Sequence, residues 1–520
     1  MKGTWSYLLL LGTLQFSSSP LEAAAPPAPA TEIRAVWVDA FHPGIRSKQE
    51  ADRLIADAVR NNFNTLFIQV RRRGDSLYLK SIEPLLQDPV LEPGFDPLAY
   101  TIDAAHRAGL EVHAWMNAMA LWRDEPPPVD SNHVFNRHGL TATSDDNWLT
   151  CLWSGSQKFP VGYFLDPGHP GARDHLVRVY LGVVSNYGVD GIHFDYIRYP
   201  ETEERLPKGS PVGYNPVSLA RFARLSGRQE KPEPGAEEWM NWRREQLTQL
   251  VRRIYIEAKA INPRIKVSAS TIAWGQPPVS SKKFLEASAG RLVYQDWQGW
   301  MKEGILDLAV PMNYARETDP RVRSWFDGWI AFEKRHKYGR HLAVGIGAYL
   351  NSADGNLDQL ARVRRIEGEH VVEGVSFFSY ASPSAVPRPE PGAVAATPHP
   401  DASERLAYLA VGTSTHKAAF PNRLPPPSMP WIDRPAHGWM AGTVTGPDGE
   451  EIDGARIEMR KAGWWPFRKT YRTRTDGNGW FGFATLRPGS YEVKLVRAAG
   501  PRERRKTQIL AGRVSRVEFR

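Results

Sequence analysis

Between residues 33 and 380 the apolar residues fall into eight short runs, at 34–39, 64–71, 111–117, 189–195, 266–271, 306–314, 342–349 and 374–380. Stretches with helical spacing separate most of them, the strongest at 48–61, 97–108, 171–187, 237–261, 321–335 and 356–366. Apolar strands alternating with amphipathic helices predict a parallel sheet, and eight such units predict a closed barrel. After residue 437 the pattern changes. Strand-like runs at 439–444, 455–460, 481–486, 491–496 and 514–519 alternate with turns such as Asp476-Gly477-Asn478-Gly479 and Arg487-Pro488-Gly489-Ser490. Short strands with Asp-Gly and Pro-Gly turns predict an antiparallel β-sandwich. The expected fold class is therefore α/β, with a (β/α)8 TIM barrel at 31–385 and a small all-β sandwich at 437–520. A Pro-rich connector and barrel tail fills 386–436.

Composition adds compartment and charge. Lys2 precedes an apolar run at 7–14, and small residues follow at Ala23-Ala24-Ala25. This predicts a signal peptide over 1–25 and an exported protein, periplasmic or secreted. The run is too short to span a bilayer and no second one of about 18 apolar residues appears, so no transmembrane anchor is expected. Cys151 is the single cysteine, so stability must come from a large core rather than from disulfides. Residues 437–520 hold seventeen Lys and Arg against nine Asp and Glu, a net +8 of the +9 carried by the whole chain. A basic module of this kind favours an anionic envelope polymer, and export points away from nucleic acid.

The segment Val189-Asp190-Gly191-Ile192-His193-Phe194-Asp195-Tyr196-Ile197-Arg198 carries the most chemistry. Strand side chains alternate, so His193 and Asp195 share the inner face while Ile192 and Phe194 pack outward. An acid at the C-terminal end of an inner strand lies where barrels of this class keep their chemistry. The same parity collects Asp39, Arg71, Trp115, Asn117 and Asn313, with Tyr314 beside it, and Tyr380 on the rim. Polar groups gathered there suit a sugar pocket. Glycosidic hydrolysis needs two carboxyl groups. Asp195 is the first choice. Asp296, after the fifth strand and beside Trp297, is the leading second, ahead of Glu201, Glu203, Asp75 and Asp166. Asp166 reads better as a helix cap. Arg198 and Trp297 complete the expected substrate contacts. No paired metal-ligand spacing, nucleophile elbow, P-loop or dinucleotide fingerprint occurs, so neither metal nor cofactor is expected.

Several of these stretches, in order, resemble the family-10 glycosyl-hydrolase-like proteins. They are 34–39 (Arg-Ala-Val-Trp-Val-Asp), 64–78, 111–117 (Glu-Val-His-Ala-Trp-Met-Asn), 164–168, 189–200, 295–297, 311–314 and 374–380. The resemblance covers residues 31–385 and reaches toward Trp431. It implies an exported bacterial TIM-barrel glycoside hydrolase acting on cell-wall glycan, most simply peptidoglycan strands. It also implies a catalytic Asp at the end of strand four, the place of Asp195. Relatives often carry a second Asp directly afterwards, where this chain has Tyr196, and many are lipoproteins, for which this chain lacks the Cys. The last domain is similar to carboxypeptidase regulatory-like modules through Gly442-Thr443-Val444, 475–481 and 486–491, which implies a non-catalytic accessory sandwich. Trp464 and Trp465 beside Arg468 and Lys469 are its candidate polymer contact. Two other readings stay open. One is a non-catalytic polysaccharide-binding protein on the same scaffold. The other is an enzyme such as a deacetylase, which would need a metal cluster.

Overall fold

In the computed structural model, which describes residues 30–123, 126–203, 206, 208–366, 370–382, 402–463, 469–496 and 503–520, eight parallel strands close into a barrel. They are β1 (Ile33–Val38), β2 (Thr65–Arg71), β3 (Glu111–Asn117), β4 (Gly191–Asp195), β5 (Lys266–Thr271), β6 (Leu308–Pro311), β7 (His341–Gly347) and β8 (Gly374–Phe378). Each pairs with its sequence neighbour, and β1 meets β8. The proposed signal peptide and Trp464, Trp465 and Arg468 lie outside the described residues. No helix among the described residues is long and apolar enough to cross a membrane.

Alternation along these strands divides the apolar residues into two cores. Val36, Leu66, Val112, Ile192, Val267, Ala309, Val344 and Val375 point outward and pack under the helices. Ile33, Ala35, Trp37, Phe67, Trp115, Leu308, Val310 and Ala343 form a separate cluster inside the barrel. Met429 and Ile432 join this inner cluster. They arrive on a strap that crosses the N-terminal ends of the strands: Glu32 N donates to Pro425 O at 3.1 Å and Asn64 Nδ2 to Leu424 O at 2.9 Å. Phe420 is buried edge-on against Phe63 and Phe377. Trp431 donates its indole N–H to Asp307 at 2.8 Å. The described part of the Pro-rich stretch is thus a barrel tail that plugs the end remote from the site.

Residues 438–519 form two facing sheets. Their strands are β9 (Gly438–Val444), β10 (Arg456–Lys461), β11 (Thr470–Arg474), β12 (Trp480–Leu486), β13 (Gly489–Val496), β14 (Glu503–Ile509) and β15 (Val514–Phe519). The orders are β12-β9-β15 and β11-β10-β13-β14, and β9 pairs with β15 in parallel while every other pair is antiparallel. The sequence pattern missed β11 and β14, whose Arg-rich repeats lack an apolar face. Both are edge strands, where cations discourage further pairing. The three-stranded sheet rests on the helix Glu237–Ile261 through Trp439 and Trp480, which belong to the barrel's outer core. Trp480 donates to Glu257 at 2.8 Å. Arg173 meets Asp476 at 3.0 Å with both side chains 1% exposed, and Arg221 meets Asp453 at 2.9 Å. Buried ion pairs and shared aromatics seat the sandwich on the barrel.

Candidate active site

The floor of the site is built from inward residues of β1 to β5. Gly191 is required because a Cβ there would lie 2.4 Å from the ring of His113. Trp37 donates its indole N–H to His193 Nε2 at 3.1 Å. An indole can only donate, so Nε2 accepts and Nδ1 holds the proton, given to Ser268 Oγ at 2.9 Å. Ser270 completes the set on Nε2 at 2.9 Å, and Phe67 stacks on the imidazole. Burial lowers the His193 pKa to about 3. His193 points inward as the strand parity requires, but it is 0% exposed and its ring nitrogens are satisfied. It is core beneath the site and not a substrate contact.

Asp195 stands above it. Oδ2 accepts from the Trp115 indole at 3.1 Å, Oδ1 accepts from Tyr196 N at 2.6 Å, and Arg198 Nη1 lies 3.8 Å away. Burial pushes the carboxyl above the usual carboxylate range, partly offset by the Arg198 charge. Tyr196 adopts φ +47, in the left-handed region that bulky residues avoid. Its ring carries the Arg198 guanidinium at 4.3 Å, with Trp274 on the other flank at 5.0 Å. Arg198 Nη2 reaches Glu201 Oε1 at 3.5 Å, while the buried Nη1 has no hydrogen-bond acceptor. Arg198 therefore links the Asp195 and Glu201 carboxylates and keeps one donor to spare.

An aromatic wall closes the far side. Phe378 sits 6.4 Å from Trp115, 5.7 Å from Tyr314 and 6.1 Å from Tyr349 between ring centroids. Tyr349 is 41% exposed. Tyr314 lies close enough for the Asp195 charge to help burial raise its hydroxyl pKa. Across the mouth, Asp39 Oδ1 pairs with His42 Nδ1 at 2.7 Å, and this bond raises the imidazole pKa. Gln69 ties Ala40 N to Asn117 Oδ1, and Asn117 Nδ2 donates to Arg72 O at 2.8 Å. Trp115, Asn117, Asp195, Arg198, Tyr314 and Asp39 thus stand at the C-terminal rim, as their strand positions predict. His42, Phe378 and Tyr349 also stand there, and only strand-end position could have pointed to them.

Five other residues are placed elsewhere. Asp296 caps the helix Trp297–Glu303, accepting from Gly299 N at 2.9 Å, and no contact joins it to Asp195. Trp297 is 1% exposed, donates to Ile272 O and packs edge-on against Phe284 and Phe332, leaving no face for a ligand. Arg71 is 0% exposed and forks onto Glu83 with both bonds at 2.7 Å; its remaining N–H groups hold Asn117 O and Ala118 O. It braces the end of β3 and contacts no ligand space. Asn313 and Tyr380 turn away from the mouth. Asn313 Nδ2 donates to buried Glu333 at 3.1 Å, and Tyr380 Oη to Asp57 at 2.7 Å. Among the described residues no group of three or more His, Cys, Asp and Glu is arranged to hold a metal ion.

This barrel carries an arginine-flanked, buried Asp at the end of β4. The family described as glycosyl hydrolase-like 10 matches residues 32–325. The chain belongs to that family. The carboxypeptidase regulatory-like domain matches residues 440–520. Family relatives include the glycosyl hydrolase YngK of Bacillus subtilis (strain 168), 26% identical over 301 residues, 54% of each chain. The glycosyl hydrolase DigH of Escherichia coli (strain K12) is 27% identical over 285 residues, 52% of this chain and 60% of its own. The match thus spans little more than half the length of these curated relatives. Among solved structures, the PgaB (BpsB) glycoside hydrolase domain from Bordetella bronchiseptica aligns with a TM-score of 0.48 at 14% identity, over 68% of this chain and 94% of that one.

Proposed function

We propose that this family member is an exported glycoside hydrolase that cuts glycosidic bonds in a bacterial envelope polysaccharide, with peptidoglycan glycan strands as substrate. The observation that carries the reading is Asp195, buried at the end of β4 and bridged by Arg198 to Glu201. Arg198 between them keeps the two carboxyl groups within roughly 10 Å, a bound that admits both retaining and inverting acid pairs. In this reading one of them protonates the leaving oxygen while the other activates water. Glu201 takes the role first assigned by sequence position to Asp296, whose carboxylate is spent on a helix start. The Phe378, Tyr314 and Tyr349 rings offer apolar faces to sugar rings.

The test is release of soluble fragments from purified peptidoglycan, intact and stripped of stem peptides. Wild type and Asp296→Asn should release fragments. Asp195→Asn and Glu201→Gln should lose about 10²–10⁴-fold in rate, the usual worth of a positioned acid or base, while still pelleting with the polymer. No release by wild type, with binding intact, would refute the enzyme and leave a polysaccharide-binding barrel.

A further inference from the structure

The four-stranded sheet of the sandwich has one buried and one open face. Ile457, Met459, Val493 and Leu495 fill the buried face. The intervening residues point outward, and cross-strand register shows which of them are neighbours. Arg456 stands opposite Arg474, Glu458 between Arg472 and Lys494, and Glu492 opposite Lys506. Two ion pairs form there, Arg472–Glu458 at 2.9 Å and Arg504–Glu492 at 3.1 Å, and they use both acids. Arg456, Arg460, Arg474, Lys494 and Lys506 make no ion pair among the described residues.

Folding alone does not account for this surface. Like charges directly opposite across a ladder cost stability, yet Arg456 and Arg474 face each other, and the Arg474 pKa is lowered by burial and by its neighbour's charge. Protection of edges from aggregation explains cations on β11 and β14. It does not explain Arg456 on the central strand β10, and although Arg460 and Lys494 on β10 and β13 stand opposite Glu492 and Glu458, those two acids are already paired with Arg504 and Arg472, so the face keeps an excess of cations. The outward positions of these strands carry no aromatic ring, so neither bases nor sugar rings find a stacking platform. What they offer is a grid of cations about 5 Å apart across strands and about 7 Å along them. Guanidinium forks match carboxylates two oxygens at a time.

We propose that the open face of β11-β10-β13-β14 is a docking surface for a linear glycan carrying a carboxylate on its repeating unit. The choice of a glycan rests on the reading of the barrel as a glycan hydrolase, and the surface itself does not. Because the sandwich is fixed to the barrel by the Arg173–Asp476 and Arg221–Asp453 pairs, a polymer held on this face stays at high local concentration near the barrel.

The experiment uses the full chain in the Asp195→Asn background, so that cleavage plays no part, with polygalacturonate as the probe. Its methyl ester, inorganic polyphosphate and single-stranded DNA serve as comparisons. The triple variant Arg456→Ser/Arg460→Ser/Arg474→Ser should bind polygalacturonate at least tenfold more weakly, with a shallower salt dependence. The corresponding Lys triple, which keeps fold and charge but loses the guanidinium forks, should bind more tightly than the Ser triple and more weakly than the parent, and the ester should not bind. Equal binding by the Ser triple, or equal binding of the neutral ester, overturns the surface. Tighter binding of polyphosphate or DNA than of polygalacturonate overturns the assigned partner. Fragment release by the parent protein is read separately, so a failure of either reading is seen alone.

Discussion

Glu333 offers the sharpest test of the packing around the site. It lies on the helix Pro320–Arg335, is 0% exposed, and accepts from Asn313 Nδ2 through Oε2. Its other oxygen and Asn313 Oδ1 are both buried without a partner. A proton on the carboxyl satisfies both, because a carboxylic acid and an amide can pair through two hydrogen bonds. Burial pushes the Glu333 pKa up to about 8, with Asn313 and Lys334 opposing. In the unfolded chain the group titrates near 4.5, the ordinary value for a glutamate. Between these values the folded protein holds one proton more, so stability falls as pH rises through the window and levels off above pH 8. At 1.36 kcal/mol per unit, going from pH 5 to pH 8 should remove about 3–4 kcal/mol. Glu333→Gln keeps the shape, donates to Asn313 Oδ1 and has nothing to titrate. Urea midpoints of both proteins at pH 5, 6.5 and 8 should diverge, the variant gaining on wild type at each step. A stability difference that stays constant within about 0.5 kcal/mol across that range refutes the protonated pair.

Three further outcomes follow from buried contacts. Glu83→Gln strands the fully buried Arg71 guanidinium and should cost about 3–5 kcal/mol in chemical denaturation; a loss under 1 kcal/mol would mean the pair is not needed to hold the end of β3. Asp476→Ala leaves Arg173 buried beside Arg221 and Arg253, so limited proteolysis should detach the region from 437 onward faster than in wild type. An unchanged digestion pattern would show that the Arg173–Asp476 pair is not needed to hold the sandwich. Ile432→Ala should cost about 2–5 kcal/mol, the usual range for a truncated core aliphatic, and an unchanged thermal midpoint would mean that the strap does not close the barrel's N-terminal end.

The eight-strand barrel was legible because strand alternation is a strict rule and each strand obeys it over its paired length. Trp37, Trp115, His193 and Asp195 all fall on the inner face that their spacing assigns. The rule fails where the ladder is irregular or ends. The pairing of β2 with β3 shifts between Gln69 and Arg71, which takes Arg71 off the inner row and delivers it to Glu83. On β6 the inward residues are Leu308 and Val310, so Asn313 falls on the outer row and Tyr314 on the inner one. Tyr380 lies beyond the end of β8 at Phe378; its N–H still bonds Trp37 O on β1, but its hydroxyl is held by Asp57 on the helix Lys48–Arg60, outside the barrel.

Asp296 shows a different limit. Position after an inner strand is shared by catalytic acids and by helix caps, because the same loops start the helices that return the chain. What separates them is the donor set. An acid that accepts from an N–H three residues ahead, as Asp296 does from Gly299, is held by the first turn of its own helix. Asp195 instead draws its donors from the next residue, from Trp115 on a neighbouring strand and from the charge of Arg198, and no helix begins there. The Asp-x-x-Gly spacing at 296–299 was visible in the sequence, whereas the cap expected of Asp166 falls to His169, which accepts from Gly171 N, and Asp166 accepts from Gly168 N and Ser218 Oγ instead. Glu201 stands six residues after Asp195, with Arg198 midway and in reach of both, but that spacing does not separate it from Glu203 on the same loop. What favours Glu201 over Asp296 in the proposed reading is thus the side-chain contact of Arg198 with both carboxylates, where Asp296 contacts only its own helix start.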